Sequence, residues 1–180
     1  MSKLSNLLWL MAGIGVGALA TWLRGRRFFV GASNLEAMVT SGTAIDGALI
    51  AFTDSAGARL VQAQMPGALI ALSSLEEVDF GSAELTQATI ALASLEEASF
   101  GGARLRGAVL LMCNCEETDF SNADLDRARF VMTTADEADF GSASLRGARF
   151  DGCDLRGASF VGADLLGVEF ERCICDGVTL

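Results

Sequence analysis

At 180 residues and 18.8 kDa the chain is the size of one domain, and a composition 51% apolar with mean hydropathy +0.40 excludes a disordered polymer. Histidine and tyrosine are both absent, which removes the commonest general base and neutral metal ligand. No catalytic residue, cofactor or metal is therefore expected, and the chain does not read as an enzyme. The net charge of −10 is segregated: four of the 13 basic residues (Lys3, Arg24, Arg26, Arg27) precede residue 30, and all 23 acids follow it. So acidic a surface repels phosphate backbones unless it imitates them, and nucleic-acid binding through a basic patch is unexpected.

In chain order, Leu4 to Leu23 comes first, a stretch of twenty residues without a formal charge. As a helix it would rise about 30 Å, enough to cross a hydrocarbon core. Trp9 and Trp22 sit toward its two ends, and Arg24, Arg26 and Arg27 follow as a stop-transfer flank. The expectation is a single-pass anchor over residues 1–27, its helix at about 4–23, with the remainder on the cytoplasmic side. The bilayer would be the first partner. Gly13 and Gly17 form a G-x-x-x-G that could admit a second helix. The alternative is a cleaved signal peptide, because Ala18-Leu19-Ala20 has the form of a processing site.

Residues 28–32 read as a linker, and from residue 33 to 180 the chain obeys a period of five. Of the 30 residues at multiples of five from Leu35 to Leu180, 28 are apolar, Thr40 and Ser55 being the exceptions. Two positions earlier the residue is small in 29 of 30 cases, Met38 being the departure. Neither the 3.6 period of a helix nor the 2.0 period of a strand produces such a rule.

Ala123-Asp124-Leu125, Ala143-Ser144-Leu145, Ala148-Arg149-Phe150 and Ala163-Asp164-Leu165 resemble the A-[DN]-L-x-x signature of the pentapeptide-repeat family. The resemblance implies an all-β solenoid, a right-handed quadrilateral β-helix with four pentads per square coil. The central apolar residue and the small residue two before it would point inward. Stacking at about 4.8 Å lets each coil pair its backbone with its neighbours and bury an apolar corner it cannot bury alone. Thirty pentads make about 7.5 coils, with Phe80, Phe100, Phe120, Phe140 and Phe160 in one ladder and Phe130, Phe150 and Phe170 in another. Thr40, Ser55 and Pro66 weaken the pattern in the early coils.

Residues twenty apart should stack, so rows of twenty expose the outward columns. One is apolar: Ala51-Phe52, Ala71-Leu72, Ala91-Leu92, Leu111-Met112 and Val131-Met132. Phe52, Leu72, Leu92, Met112 and Met132 are the candidate docking residues, for lipid or for other subunits of a membrane complex. The next column is acidic: Glu76-Glu77, Glu96-Glu97, Glu116-Glu117 and Asp136-Glu137, joined by Asp79, Asp119 and Asp139. Some members of the resembled family are DNA-mimicking inhibitors of gyrase-type topoisomerases, and the density of carboxylates suits that alternative. A solvated face that keeps an apolar rod soluble is the plainer account. A third column, Gly81-Ser82, Gly101-Gly102, Ser121-Asn122 and Gly141-Ser142, reads as flat and open to another backbone, and a fourth holds arginines for surface ion pairs.

Cys113, Cys115, Cys153, Cys173 and Cys175 all fall at inward positions and read as small apolar filler; Cys153 and Cys173 are near enough for a disulfide by spacing alone. The last coil has no polar cap, so two chains could pair end to end as a homodimer. The sequence is thus read as a non-catalytic, membrane-anchored scaffold or docking protein, an accessory or structural subunit of a membrane complex that docks through its apolar strip, with the topoisomerase-directed DNA mimic as the alternative.

Overall fold

The computed structural model describes the backbone of Phe28–Val30 and, in full, residues 46–51 and 53–180. The anchor at 1–27, with its helix at 4–23 and the Gly13/Gly17 pair, lies outside the described residues, as do residues 31–45 and Phe52. Among the described residues no helix is long and apolar enough to cross a membrane.

Eight three-residue strands form one parallel sheet in chain order: β1 (Phe28–Val30), β2 (Leu49–Ala51), β3 (Leu69–Ala71), β4 (Thr89–Ala91), β5 (Val109–Leu111), β6 (Arg129–Val131), β7 (Arg149–Asp151) and β8 (Glu169–Glu171). From β2 onward the register advances by twenty, as in Ile50↔Ile70 and Ile70↔Ile90. The other three sides of each coil carry single parallel bridges, such as Ser74↔Ser94, Asp79↔Ser99 and Glu84↔Arg104. The described chain therefore makes between six and seven square coils, each of four five-residue sides. The strands define face A; the bridges at 54–174, 59–179 and 64–164 define faces B, C and D in chain order.

Of the segment read as linker, the described part is a strand. Phe28–Val30 pairs in parallel with Leu49–Ala51, Phe29 facing Ile50, an offset of 21 rather than twenty. An aromatic and β-branched triplet suits a pleated edge, and its main-chain groups extend the ladder over what would otherwise be the open edge of β2.

A square coil requires a sharp corner every five residues. At three corners of each coil the amide two residues before a central position closes a turn onto the preceding central carbonyl, as in Ala98 N–H to Leu95 (2.9 Å) and Ala103 N–H to Phe100 (2.9 Å). Among the described corners the second residue has φ between +51° and +76°, whether glycine (Gly102, +65°) or not (Glu97, +57°). A side chain there costs roughly 1 kcal/mol relative to glycine, so non-glycine corners mark places where a side chain is wanted.

Inside, the two phenylalanine ladders form as expected. Phe80, Phe100, Phe120, Phe140 and Phe160 stack at 4.8–5.1 Å, and Phe130, Phe150 and Phe170 at 4.6–5.1 Å. The ladders meet edge to face, Phe140 lying 5.7 Å from both Phe130 and Phe150. Alanines two positions before fill the remaining width.

Candidate functional site

Two adjacent corners flank face B. The corner between faces A and B carries the apolar column, and it is built differently from the other three. Each strand runs on through its first corner residue and the turn bond onto the preceding central carbonyl is not made; the bond from the second residue's amide to the next coil, as in Leu72 N–H to Ala91 (3.1 Å) and Leu92 N–H to Leu111 (2.9 Å), is shared with the other corners, as in Glu77 N–H to Glu96 (2.9 Å). The small residue that follows partly takes over the missing turn bond: Ser73 Oγ donates to the Ala71 carbonyl at 2.9 Å, and the Cys113 thiol to Ile90 and Leu111 at 3.5 and 3.6 Å.

The outward apolar residues do not form a uniformly displayed strip. Ala71 and Ala91 are fully buried and Leu111 nearly so; they pack with Leu69, Leu72, Val109 and Val131 as a second apolar cluster outside the coil wall. Leu72 and Leu92 are half-buried, and among the described residues of the column only Met112 (48% exposed) and Met132 (63%) stand out in solvent. Direction of pointing is set by the period; exposure is set by what lies alongside.

The corner between faces B and C carries Glu76-Glu77, Glu96-Glu97, Glu116-Glu117 and Asp136-Glu137 on four successive coils, bounded above by Ala56-Gly57 and below by Arg156-Gly157. Glu77, Glu97, Glu117 and Glu137 all occupy left-handed backbone (φ +53° to +57°). The chain thus accepts strain four times in succession to hold a carboxylate where glycine would be easier. Glu96, in the middle, has its carboxyl pushed above the ordinary range, first by partial desolvation and then by repulsion from Glu116, Glu76, Glu97 and Glu117.

Asp79, Asp119 and Asp139 complete the acidic region from face C, but each also serves the next corner. Their Oδ1 atoms accept the amides of Gly81 (2.9 Å), Ser121 (2.8 Å) and Gly141 (2.8 Å). A Cβ on Gly81 or Gly141 would lie 2.9 Å from that same oxygen. Gly81 and Gly141 thus sit directly against these carboxylates, an arrangement that Ser121 keeps beside Asp119 with a side chain of its own. The Asp-x-Gly spacing at 79–81 and 139–141 was the available signal, and Ser99 fills the same position by accepting from Gly101 at 3.5 Å.

Models of pentapeptide repeats match residues 73–111 (eight copies) and 110–180, together reaching 108 of the 180 residues. The chain belongs to the pentapeptide-repeat family. Among solved structures it is similar to a trypsin-treated variant of QnrB1, a plasmid-mediated fluoroquinolone resistance protein, at 16% identity and TM-score 0.54, covering 86% of this chain and 90% of that one. Rfr23, a pentapeptide-repeat protein from the cyanobacterium Cyanothece, matches at 19% identity and TM-score 0.35 over 79% of this chain and 95% of the other. No curated protein matches the chain. Identities this low carry the fold alone.

Within this pentapeptide-repeat rod most of the described arginines lie on the sides away from the acidic corner, Arg59 on face C and Arg156 at the corner's lower end being the exceptions. Arg106 reaches Asp126 of the next coil at 2.9 Å, Arg146 reaches Asp164 at 2.6 Å and Arg149 reaches Glu169 at 3.0 Å; Arg156 folds back onto Asp154 at 2.7 Å. Being exposed and screened by solvent, such pairs add little to stability. Of the five cysteines, all free, Cys113, Cys115 and Cys153 are buried, and burial pushes the Cys113 and Cys153 thiols up to about 11. Cys173 is half-buried and Cys175 exposed, correcting the reading of all five as sealed filler. The reason is position: nothing described stacks over the last coil, where Phe170 is 44% and Leu180 83% exposed. The Cys153 thiol donates to the Asp151 carbonyl and the Cys173 thiol to those of Phe150 and Glu171, and the two are not joined in a disulfide.

Proposed function

We propose that this pentapeptide-repeat protein is a non-catalytic recognition rod whose acidic corner imitates duplex DNA and occupies the DNA-binding surface of a gyrase-type topoisomerase. The observation that carries this reading is charge density. Eleven carboxylates (Glu76, Glu77, Glu96, Glu97, Glu116, Glu117, Asp136, Glu137, Asp79, Asp119 and Asp139) lie along four coils. At about 4.8 Å per coil that is one charge per roughly 1.7 Å, the axial density of duplex DNA. The similarity in fold to a fluoroquinolone resistance protein is consistent with it, as is the backbone strain accepted at Glu77, Glu97, Glu117 and Glu137.

The test is DNA supercoiling by gyrase with the full chain added. Inhibition that weakens steeply with salt, and is lost when Glu96, Glu97, Glu116 and Glu117 are all changed to Gln, is the expected result. A chain that leaves supercoiling unchanged, or inhibits equally well with the four glutamines, defeats the reading.

A second reading, docking onto another protein through the apolar corner, is favoured by the exposure of Met112 and Met132. Met112→Ser with Met132→Ser would then abolish capture of that partner and leave gyrase inhibition untouched. End-to-end pairing of two chains would use the open side of Phe170, and Phe170→Asp would convert such a dimer to monomer in sedimentation.

A further inference from the structure

Face B lies between an apolar corner and an acidic one, and over four coils the two frame it unequally. Its outward residues, Ser74, Ser94, Asn114 and Thr134, are small or short, polar and half-buried, and make a low floor. One edge is the apolar column, where Met112 and Met132 stand one coil apart, 48% and 63% exposed. The other edge is acidic. Its outermost carboxylates, Glu97, Glu117 and Glu137, are exposed and enter none of the ion pairs among the described residues. Below Thr134 the floor position passes to Asp154, which holds Arg156 at 2.7 Å and so sets a cation at the foot of the acidic edge.

These dimensions suit one kind of occupant. Three residues between corners make a side about 10 Å wide, and an α-helix with its side chains is about 10–12 Å across. Coils repeat about every 4.8 Å and helical turns about every 5.4 Å, so a helix laid along the rod offers roughly one turn to each coil. Each turn can then set an apolar residue against the methionine edge and a basic residue against the glutamates. Methionine, unbranched and polarizable, adapts to apolar groups of varied shape. Other occupants fit less well. Anionic headgroups and nucleic acid are repelled by the glutamates, and neither gives the methionines an apolar partner beside a basic one. An extended strand finds no free main-chain edge, because the amides of the floor are already bonded between coils, as in Ser94 N–H to Ser73 (3.1 Å) and Asn114 N–H to Ala93 (3.0 Å).

We infer that face B is a docking groove for a basic amphipathic helix of a partner protein, the helix's apolar flank on Met112 and Met132 and its basic flank on Glu97, Glu117 and Glu137. The helix lies along the rod over at most four coils, about 19 Å or about 13 residues. This rests on the second reading of the apolar corner and gives that corner a partner of stated chemistry. It also draws on the glutamates of the DNA-mimic reading, so a bound helix and a topoisomerase surface would compete for the same carboxylates.

The probe is a fluorescein-labelled synthetic helix of about 14 residues, leucines along one flank and lysines along the other, titrated with the full chain and read by anisotropy. A second peptide has the same composition scrambled, so that no helical face is apolar, and a third has glutamates for the lysines. The first should bind about tenfold more tightly than either, weaken with salt and gain helical circular dichroism on binding. Met112→Ser with Met132→Ser should erase most of that advantage, and Glu97→Gln with Glu117→Gln should flatten the salt dependence. Val161→Ser with Leu166→Ser, at apolar residues 55% and 68% exposed on the other two corners, should do neither. No binding, or equal binding of the ordered and scrambled peptides to the unchanged chain, overturns the inference without recourse to any variant. Equal binding of the glutamate peptide leaves the apolar corner a docking site and defeats the basic helix. An advantage indifferent to the serines defeats both. Capture of phosphatidylglycerol vesicles in place of the peptide assigns the corner to lipid and defeats the helix as well. Gyrase supercoiling on the same unchanged chain separates this from the mimic: inhibition without helix binding defeats the groove alone, and helix binding without inhibition defeats the mimic alone.

Discussion

The upper and lower halves of face A share a backbone and differ in everything that points away from it. Between β2 and β5 the outward residues are Leu49, Ala51, Leu69, Ala71, Thr89, Ala91, Val109 and Leu111; between β6 and β8 they are Arg129, Val131, Arg149, Asp151, Glu169 and Glu171. The parallel register advances by twenty through both. Main-chain ladders and inward residues therefore suffice to hold the coil, and the outward positions are free to be apolar, acidic or ion-paired. Departures from a plain polar exterior on such a scaffold carry information about use, because the fold does not demand them.

The largest expected effect tests what the two halves have in common. Phe140 stacks on Phe120 at 5.0 Å and Phe160 at 4.8 Å and meets Phe130 and Phe150 edge-on. Phe140→Ala should cost about 3–5 kcal/mol in denaturant unfolding, from lost burial and the cavity left between rings. A loss no larger than that of an outward substitution would mean the ladder is not what holds the coils.

Next comes the contrast itself. Ala91→Asp places a carboxylate where Ala91 is fully buried and should cost about 2 kcal/mol, whereas Val131→Asp, two coils down in the same register, should stay within about 0.5 kcal/mol. Equal costs at the two sites would erase the distinction between the halves. A smaller effect belongs to the face C corners. Gly141→Ala sets a Cβ against Asp139 Oδ1, which a small rotation of the carboxylate relieves as it does for Asp119 beside Ser121, so the loss should stay below about 1 kcal/mol. With Asp139→Ala already in place the same change should add little, a non-additivity that a double-mutant cycle reads directly.

The smallest effect has a sign set by linkage. The raised carboxyl of Glu96 binds its proton more tightly folded than unfolded, so its ionised form opposes folding. That opposition is complete above the raised value and vanishes as the pH drops below the ordinary 4.5. Glu96→Gln should accordingly raise Tm slightly at neutral pH and leave it unchanged in acid. Asp154 and Asp164, held low chiefly by Arg156 and Arg146, act oppositely: their stabilisation is present above the ordinary 3.8 and is lost as acid protonates them. A Tm difference for Glu96→Gln that grew on acidification would contradict the repulsion assigned to that corner.

Much of this was legible in the period of five alone. The inward ladder from Leu60 to Phe160, the two phenylalanine stacks and the vertical alignment of Glu76, Glu96 and Glu116 follow from counting, because a parallel coil of constant length puts residue n over residue n + 20 at nearly every step. The rest was not legible, for one physical reason. A repeat states which way a side chain points but not what lies over it or which neighbour it bonds, since those depend on atoms one coil away or in another layer. Only the tertiary structure decided that Ala71 and Ala91 are outward yet sealed, that Asp79, Asp119 and Asp139 turn to the corner amides, and that Cys175 is open while Cys115 is closed. The 21-residue step between β1 and β2 is likewise a matter of pairing, visible once Phe29 is seen opposite Ile50.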